Sequence, residues 1–168
     1  MSNKESDNRI TRSMLKQFNR KWNMLNQAIE KYPEEDWLKD EGEWTYSYII
    51  FHILETAKFY LASSPDEMVW GERVGIDWET DSKEKIAKAK SEISKEFLLE
   101  YLEELKENTL ILLEKISSEK LMDQDGFHKF GFESVLEKLI YLIRHTSVHL
   151  GELSKTLRDK GYERMIWT

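Results

Sequence analysis

The feature that most constrains this chain is an apolar stripe stepping by three, four and seven residues, clearest in Val135, Leu139, Leu142, Thr146, His149, Leu153 and Leu157. A helix completes a turn in about 3.6 residues, so this spacing gathers the side chains on one face. Three other segments repeat the pattern. The first runs from about Asp7 to Tyr32 through Ile10, Met14, Phe18, Trp22, Leu25 and Ile29, and Pro33 stops it. The second follows Thr45 as N-cap and Trp44 as a staple residue, carries Ile49, His52, Ile53, Thr56 and Tyr60 on one side, and ends around Ser63-Ser64-Pro65. The third starts at Ser94 and carries Leu98, Tyr101, Leu105, Leu112 and Ile116, with Asn108 and Thr109 as a polar interruption. The fourth extends from about Phe132 to Lys160, with Gly161 placed as its C-terminal cap.

With seven glycines and two prolines in 168 residues, little material is left for the turns of an all-β fold. The expectation is an all-α four-helix bundle forming one domain over residues 1–168. Between the second and third long helices, residues 65–82 form a long connection holding Trp70, Gly71, Gly75 and Trp78. It reads equally as a lid over a site or as an apolar plug on the bundle end. Asp81 and Glu84 have capping-box spacing for a short charged helix reaching about Glu92. The segment from Ser117 to Gly131 is polar, and its His128 reads as solvated.

Chemistry concentrates at three histidines. His145 and His149 stand four residues apart on the last helix, about 6 Å along its axis, so one metal ion can reach both. The stripe puts His149 on the seam and His145 beside it. His52, in the apolar run Ile49-Ile50-Phe51-His52-Ile53-Leu54, occupies a core position and needs a polar partner there. A metal is one such partner, and a structural hydrogen bond to Tyr or Glu is the other. Glu55 and Glu152 each lie three residues after one of these histidines, where they can orient a ligand or act as a base. Tyr48 and Tyr141 each lie four residues before one. For these four side chains an ordinary packing or surface role stands beside the functional one.

A net charge of −7 with lysines interleaved among glutamates gives no concentrated basic face for nucleic acid. No apolar run is long enough to span a bilayer, and residues 1–9 lack the apolar core of a signal peptide, so the expected location is cytoplasmic. The chain has no cysteine, so thiolate ligands are excluded and any thiol chemistry must use a thiol from elsewhere. Trp70, Trp78 and Trp167 fall outside the clearest stripes and suggest a homodimer, or rings folded over the bundle ends.

The order of these features resembles the DinB/YfiT-like metal-binding bundles: Trp44-Thr45 leading into an apolar helix with His52, then His145-x-x-x-His149-x-Gly151, then Leu157-Arg158 before Gly161. The resemblance covers most of the chain. It implies an up-up-down-down bundle and a divalent metal site built from His52, His145 and His149. Members of that family with assigned activity include thiol-dependent transferases and isomerases and metal-dependent hydrolases, and family members are often dimers. The resemblance therefore implies a small-molecule substrate, with a low-molecular-weight thiol as one reactant. Three neutral imidazoles suit Zn, Ni or Fe and leave a coordination position open, as catalytic sites do. A non-catalytic metal-binding bundle is the competing reading.

Overall fold

The computed structural model describes residues 2–39 and 42–167. Helices α1 (Ser2–Lys31), α2 (Tyr46–Leu61), α4 (Lys95–Lys115) and α6 (Val135–Asp159) are long, while α3 (Lys83–Ser91) and α5 (Ser118–Met122) are short. No strand occurs among the described residues. α1 packs mainly on α4 and α6, and α2 packs on the same two helices from the opposite side. One core fills the space between them, with Phe18, Trp22, Leu54, Tyr101, Leu142 and Leu153 fully buried. Of the first stripe, Ile10 is exposed, and Thr11 takes the inward position instead.

Cross-helix contacts give the chain direction. Lys95 at the start of α4 bonds the Tyr32 carbonyl just past α1, so these two helices are antiparallel. Tyr46 at the start of α2 reaches the Ala28 carbonyl near the end of α1, so α2 also runs against α1. Phe51 and Glu55 meet Phe97 and Tyr101 in the same order, so α2 and α4 are parallel. α6 returns alongside α1, with Tyr162 beyond its end against Tyr32. The order is up-down-down-up, which corrects the expected up-up-down-down. The link from Tyr32 to Thr45 turns the chain back, with Tyr46 against Tyr32, whereas the long connection carries it the length of the bundle to start α4 beside the start of α2.

Local chemistry sets the helix ends. The Thr45, Ser94 and Ser134 hydroxyls accept from Tyr48, Phe97 and Glu137 N–H groups as N-caps. The cap of α3 is Ser82, accepting from Lys85 N–H; Asp81, expected there, instead accepts from Lys85 Nζ at 2.6 Å and from Asp77 N–H at 2.8 Å. Gly161, at φ +75°, ends α6 in a Schellman turn, with Tyr162 N–H on the Leu157 carbonyl at 2.9 Å and Gly161 N–H on that of Arg158 at 3.1 Å. The polar interruption in α4 turns inward: Thr109 is buried and accepts from Trp22 Nε1–H at 3.3 Å.

The long connection is tied down from below by Glu55. This buried carboxylate accepts from Gly71 N–H at 2.9 Å and from the Tyr101 hydroxyl at 2.7 Å. Burial first, and then the carboxylate beside it, push the Tyr101 phenol far above its ordinary range. Gly71 sits at φ +80°, and a Cβ there would lie 2.6 Å from the Ile76 carbonyl oxygen, so no larger residue fits. Trp70 packs on Phe59 and Trp78 on Tyr48, while Trp167 stays exposed. Glu55→Ala would leave a buried N–H and a buried hydroxyl without their acceptor. We expect it to lower unfolding stability by about 2–4 kcal/mol in urea titrations, with or without added metal; a loss under about 0.5 kcal/mol would show that Glu55 is not the tie described.

Candidate metal centre

α2 and α6 are antiparallel neighbours, and their facing surfaces bring His52 against the His145/His149 pair. The Nε2 atoms of His52 and His145 are 3.2 Å apart, as are those of His145 and His149, and the three rings offer nitrogens all within 4.8 Å of one another. His52 is half-buried, at the rim of the core, which corrects its expected core position; Ile50, Ile53, Leu54 and Ala57 take the inward positions of α2. On α6 the buried seam runs through Leu139, Leu142, Thr146, Leu150, Leu153 and Leu157. His145 and His149 therefore both flank it, which corrects the placement of His149 on the seam. A stripe marks a face to within one residue, and Leu150 outcompetes His149 for the dry position.

The spacing fits one ion. Two imidazole nitrogens held tetrahedrally at about 2.05 Å from a zinc ion lie about 3.3 Å apart. Hydrogen bonding alone does not account for the cluster. His149 Nδ1 is 2.6 Å from Glu152 Oε2, and in donating there the neutral ring leaves its Nε2 as an acceptor. His145 Nε2 lies 3.2 Å from the Nε2 atoms of both neighbours, and no set of neutral tautomers then gives each of these two contacts a proton of its own. Its own Nδ1 is buried without a hydrogen-bond partner among the described residues. Burial first, and then the neighbouring His149, hold the His52 and His145 imidazoles down to about 4, so both are neutral and able to bind metal at pH 7.

Of the expected supporting groups, Glu152 lies behind His149 and fixes its ring, as carboxylates do in metal sites. Glu55 is not brought to the histidines; its carboxylate is committed to Gly71 and Tyr101. Tyr141 stacks on His145 at 6.2 Å and 28° between ring planes, and Tyr60 lies against Tyr141. Burial first, and then the charge interaction and hydrogen bond with neighbouring Tyr141, push the Tyr60 phenol up to about 12. His128 is exposed, with Nδ1 on the Asp125 carbonyl at 3.0 Å, away from the cluster. Two features escaped the sequence reading. Trp44, taken as a staple, sets its ring edge-on to His52 at 5.4 Å and forms a wall of the site. Lys138, a charged residue on the apolar seam, is buried and donates to the Ala62 carbonyl at 2.7 Å and to Asp125.

In chelator, stability should fall as the pH drops from about 6.5 towards 4, because the unfolded chain takes up protons that folded His52 and His145 refuse. Urea unfolding at pH 7 and pH 5 measures this, and the fall should be smaller in His52→Ala. An equal fall in that variant would show that the histidine cluster is not its source.

The family model described as DinB superfamily matches residues 17–153, a span that includes all three histidines. Comparison with curated proteins and with solved structures returned no match. Among the described residues no helix is long and apolar enough to cross a membrane.

Proposed function

The chain belongs to the DinB superfamily, and we propose that within it this protein is a divalent-metal-dependent enzyme that transfers a low-molecular-weight thiol to small electrophiles. The observation that carries the reading is the convergence of three half-buried imidazoles, with no fourth protein ligand grouped with them among the described residues. A structural site is closed by four protein ligands, whereas a catalytic one keeps a position for a reactant. Zinc or nickel suits imidazole best, and iron is also compatible. A divalent ion held there supplies Lewis-acid chemistry, which favours the deprotonated form of a thiol or of water.

The chain's own residues do the rest. Glu152 accepts from His149 Nδ1 and so aims Nε2 into the cluster. Trp44 packs edge-on against His52, and Tyr141 stacks on His145. Without a cysteine the protein has no thiolate to compete for the open position, so the attacking sulfur comes from a reactant. The protein surface beside the triad is aromatic, which suits a small organic electrophile better than a polymer.

Elemental analysis of protein purified without an affinity tag should find about one divalent ion per chain. The metal-loaded protein should conjugate a bimane-type electrophile to at least one small thiol, and chelator should abolish the turnover. Bound metal without turnover with any thiol would replace this reading with a hydrolase or a non-catalytic metal protein. Added Zn²⁺ should raise the melting temperature of the wild type, and His52→Ala should lose most of that rise. Glu152→Gln should weaken metal binding about 10–100-fold while leaving the metal-free melting temperature nearly unchanged. An undiminished rise in His52→Ala would remove His52 from the site.

A further inference from the structure

One helical turn before His52, about 6 Å along α2, Tyr48 opens a second cavity that the triad does not use. This cleft of about 860 Å³ lies between Trp37 and Leu38, residues 42–45, the first turn of α2 and helix α3. Its walls include Trp37, Trp44, Tyr48, Trp78 and Ile86, and Lys90 enters from α3. The volume is that of a small-molecule site, and mostly apolar walls with a few polar and charged groups, here Glu43, Asp81, Lys83 and Lys90, are the usual composition of such sites. Trp44 is shared: its ring packs on Tyr48 at 5.1 Å and on His52 at 5.4 Å, so the cleft and the histidine cluster meet at this residue.

Lys90 identifies the occupant. Its Nζ lies 3.8 Å from the centre of the Tyr48 ring and 5.5 Å from that of Trp78, and donates to the Glu43 carbonyl at 3.2 Å. An ammonium has three donors, and among the described residues this carbonyl is the one hydrogen-bond acceptor it meets. Burial lowers the amine below its ordinary range, with the Glu43 carboxylate pulling the other way, yet that carboxylate forms no ion pair with it among the described residues. Asp81 on the same wall is spent on Lys85 at 2.6 Å, and Lys83 adds a second cation. A partly desolvated cation with unused donors, set over aromatic faces, matches a ligand with an acid group and a flat apolar body.

We propose that this cleft binds a small organic anion, its planar apolar body resting on Trp44, Tyr48 and Trp78 and its carboxylate or equivalent acid group taking the free donors of Lys90. Resting on the enzymatic reading above, the cleft is then where the electrophilic reactant lies beside the metal centre; the binding itself needs no metal.

The test is calorimetric titration of the full chain, with Zn²⁺ and with chelator, using 2-naphthoate and its neutral analogue 2-naphthalenemethanol. One molecule of naphthoate should bind per chain, at least tenfold more tightly than the alcohol, in both metal states. Lys90→Met, which keeps the stem and removes the charge, should abolish that preference, and Trp78→Ala should weaken both ligands. In the wild type, naphthoate should shift the indole N–H resonances of Trp44 and Trp78 and spare that of Trp22, which is bonded to Thr109; this needs no folded variant. Absence of binding, an undiminished preference in Lys90→Met, or equal shifts at Trp22 would each overturn the proposal. Zn²⁺ binding without naphthoate binding would overturn the cleft alone and leave the metal centre standing, and the converse result would do the opposite.

Discussion

The site depends on the register between α2 and α6, and a buried lysine pins that register. Lys138 reaches the Ala62 carbonyl at the end of α2 while pairing with Asp125, in a position only 2% exposed. Its charge sits where the α2 macrodipole is negative, which offsets part of its desolvation. Burial lowers the amine, and Asp125 opposes that shift. From this fixed point the helix rise does the measuring. His145 lies seven residues along α6, about 10.5 Å, and His149 about 16.5 Å, while His52 lies ten residues back along α2, about 15 Å. Antiparallel helices pinned at one end therefore bring His52 level with the gap between the other two histidines. Losing the clamp leaves a half-buried aspartate without its cation and frees α6 to slide, so one interaction bears on both stability and geometry.

Two glutamates at the same offset from histidines have opposite fates, and helix phase explains the difference. Glu55 faces α4, where Tyr101 and the Gly71 amide consume its carboxylate in a dry environment. Glu152 is half exposed and faces its own helix's His149. A buried carboxylate with its donors satisfied holds structure together, whereas a solvated one three residues from a ligand can orient that ligand at little cost. An i, i+3 offset alone does not tell these cases apart, because it fixes a neighbour on one helix and says nothing of the element packed across from it.

The same limit decides what could be read from the residues in advance. Periodicity located all four long helices, and capping chemistry located Thr45, Ser94 and Gly161, because both are local signals. The histidine grouping was legible for the same reason on α6, and for His52 from the apolar run that leaves it needing a partner, a reading the resemblance then supported. Helix direction was not, since an apolar stripe looks the same whichever way its helix runs; only pairs such as Phe51 with Phe97 orient it. The stripe also misplaced His149 by one position, because Leu150 is the better core residue. Burial of Lys138 is not legible in the sequence, because a lysine between apolar positions normally marks the solvent face and its acceptors come from residues 76 and 13 positions away.

The cluster's half-burial reconciles two opposing needs. Fully exposed, three imidazoles would keep their ordinary basicity and bind protons in competition with a metal at mildly acidic pH. Fully buried, they would be closed to any ion or small molecule arriving from solvent. At the rim, burial holds His52 and His145 down to about 4 while His149 keeps 18% of its side chain in contact with solvent. The apolar side of α2 supplies the desolvation, and the aromatic rings of Trp44 and Tyr141 extend it without adding competing charge. Two imidazoles held neutral by burial, beside a third oriented by a carboxylate, are thus a consequence of where the two helices stop being core and begin to be surface.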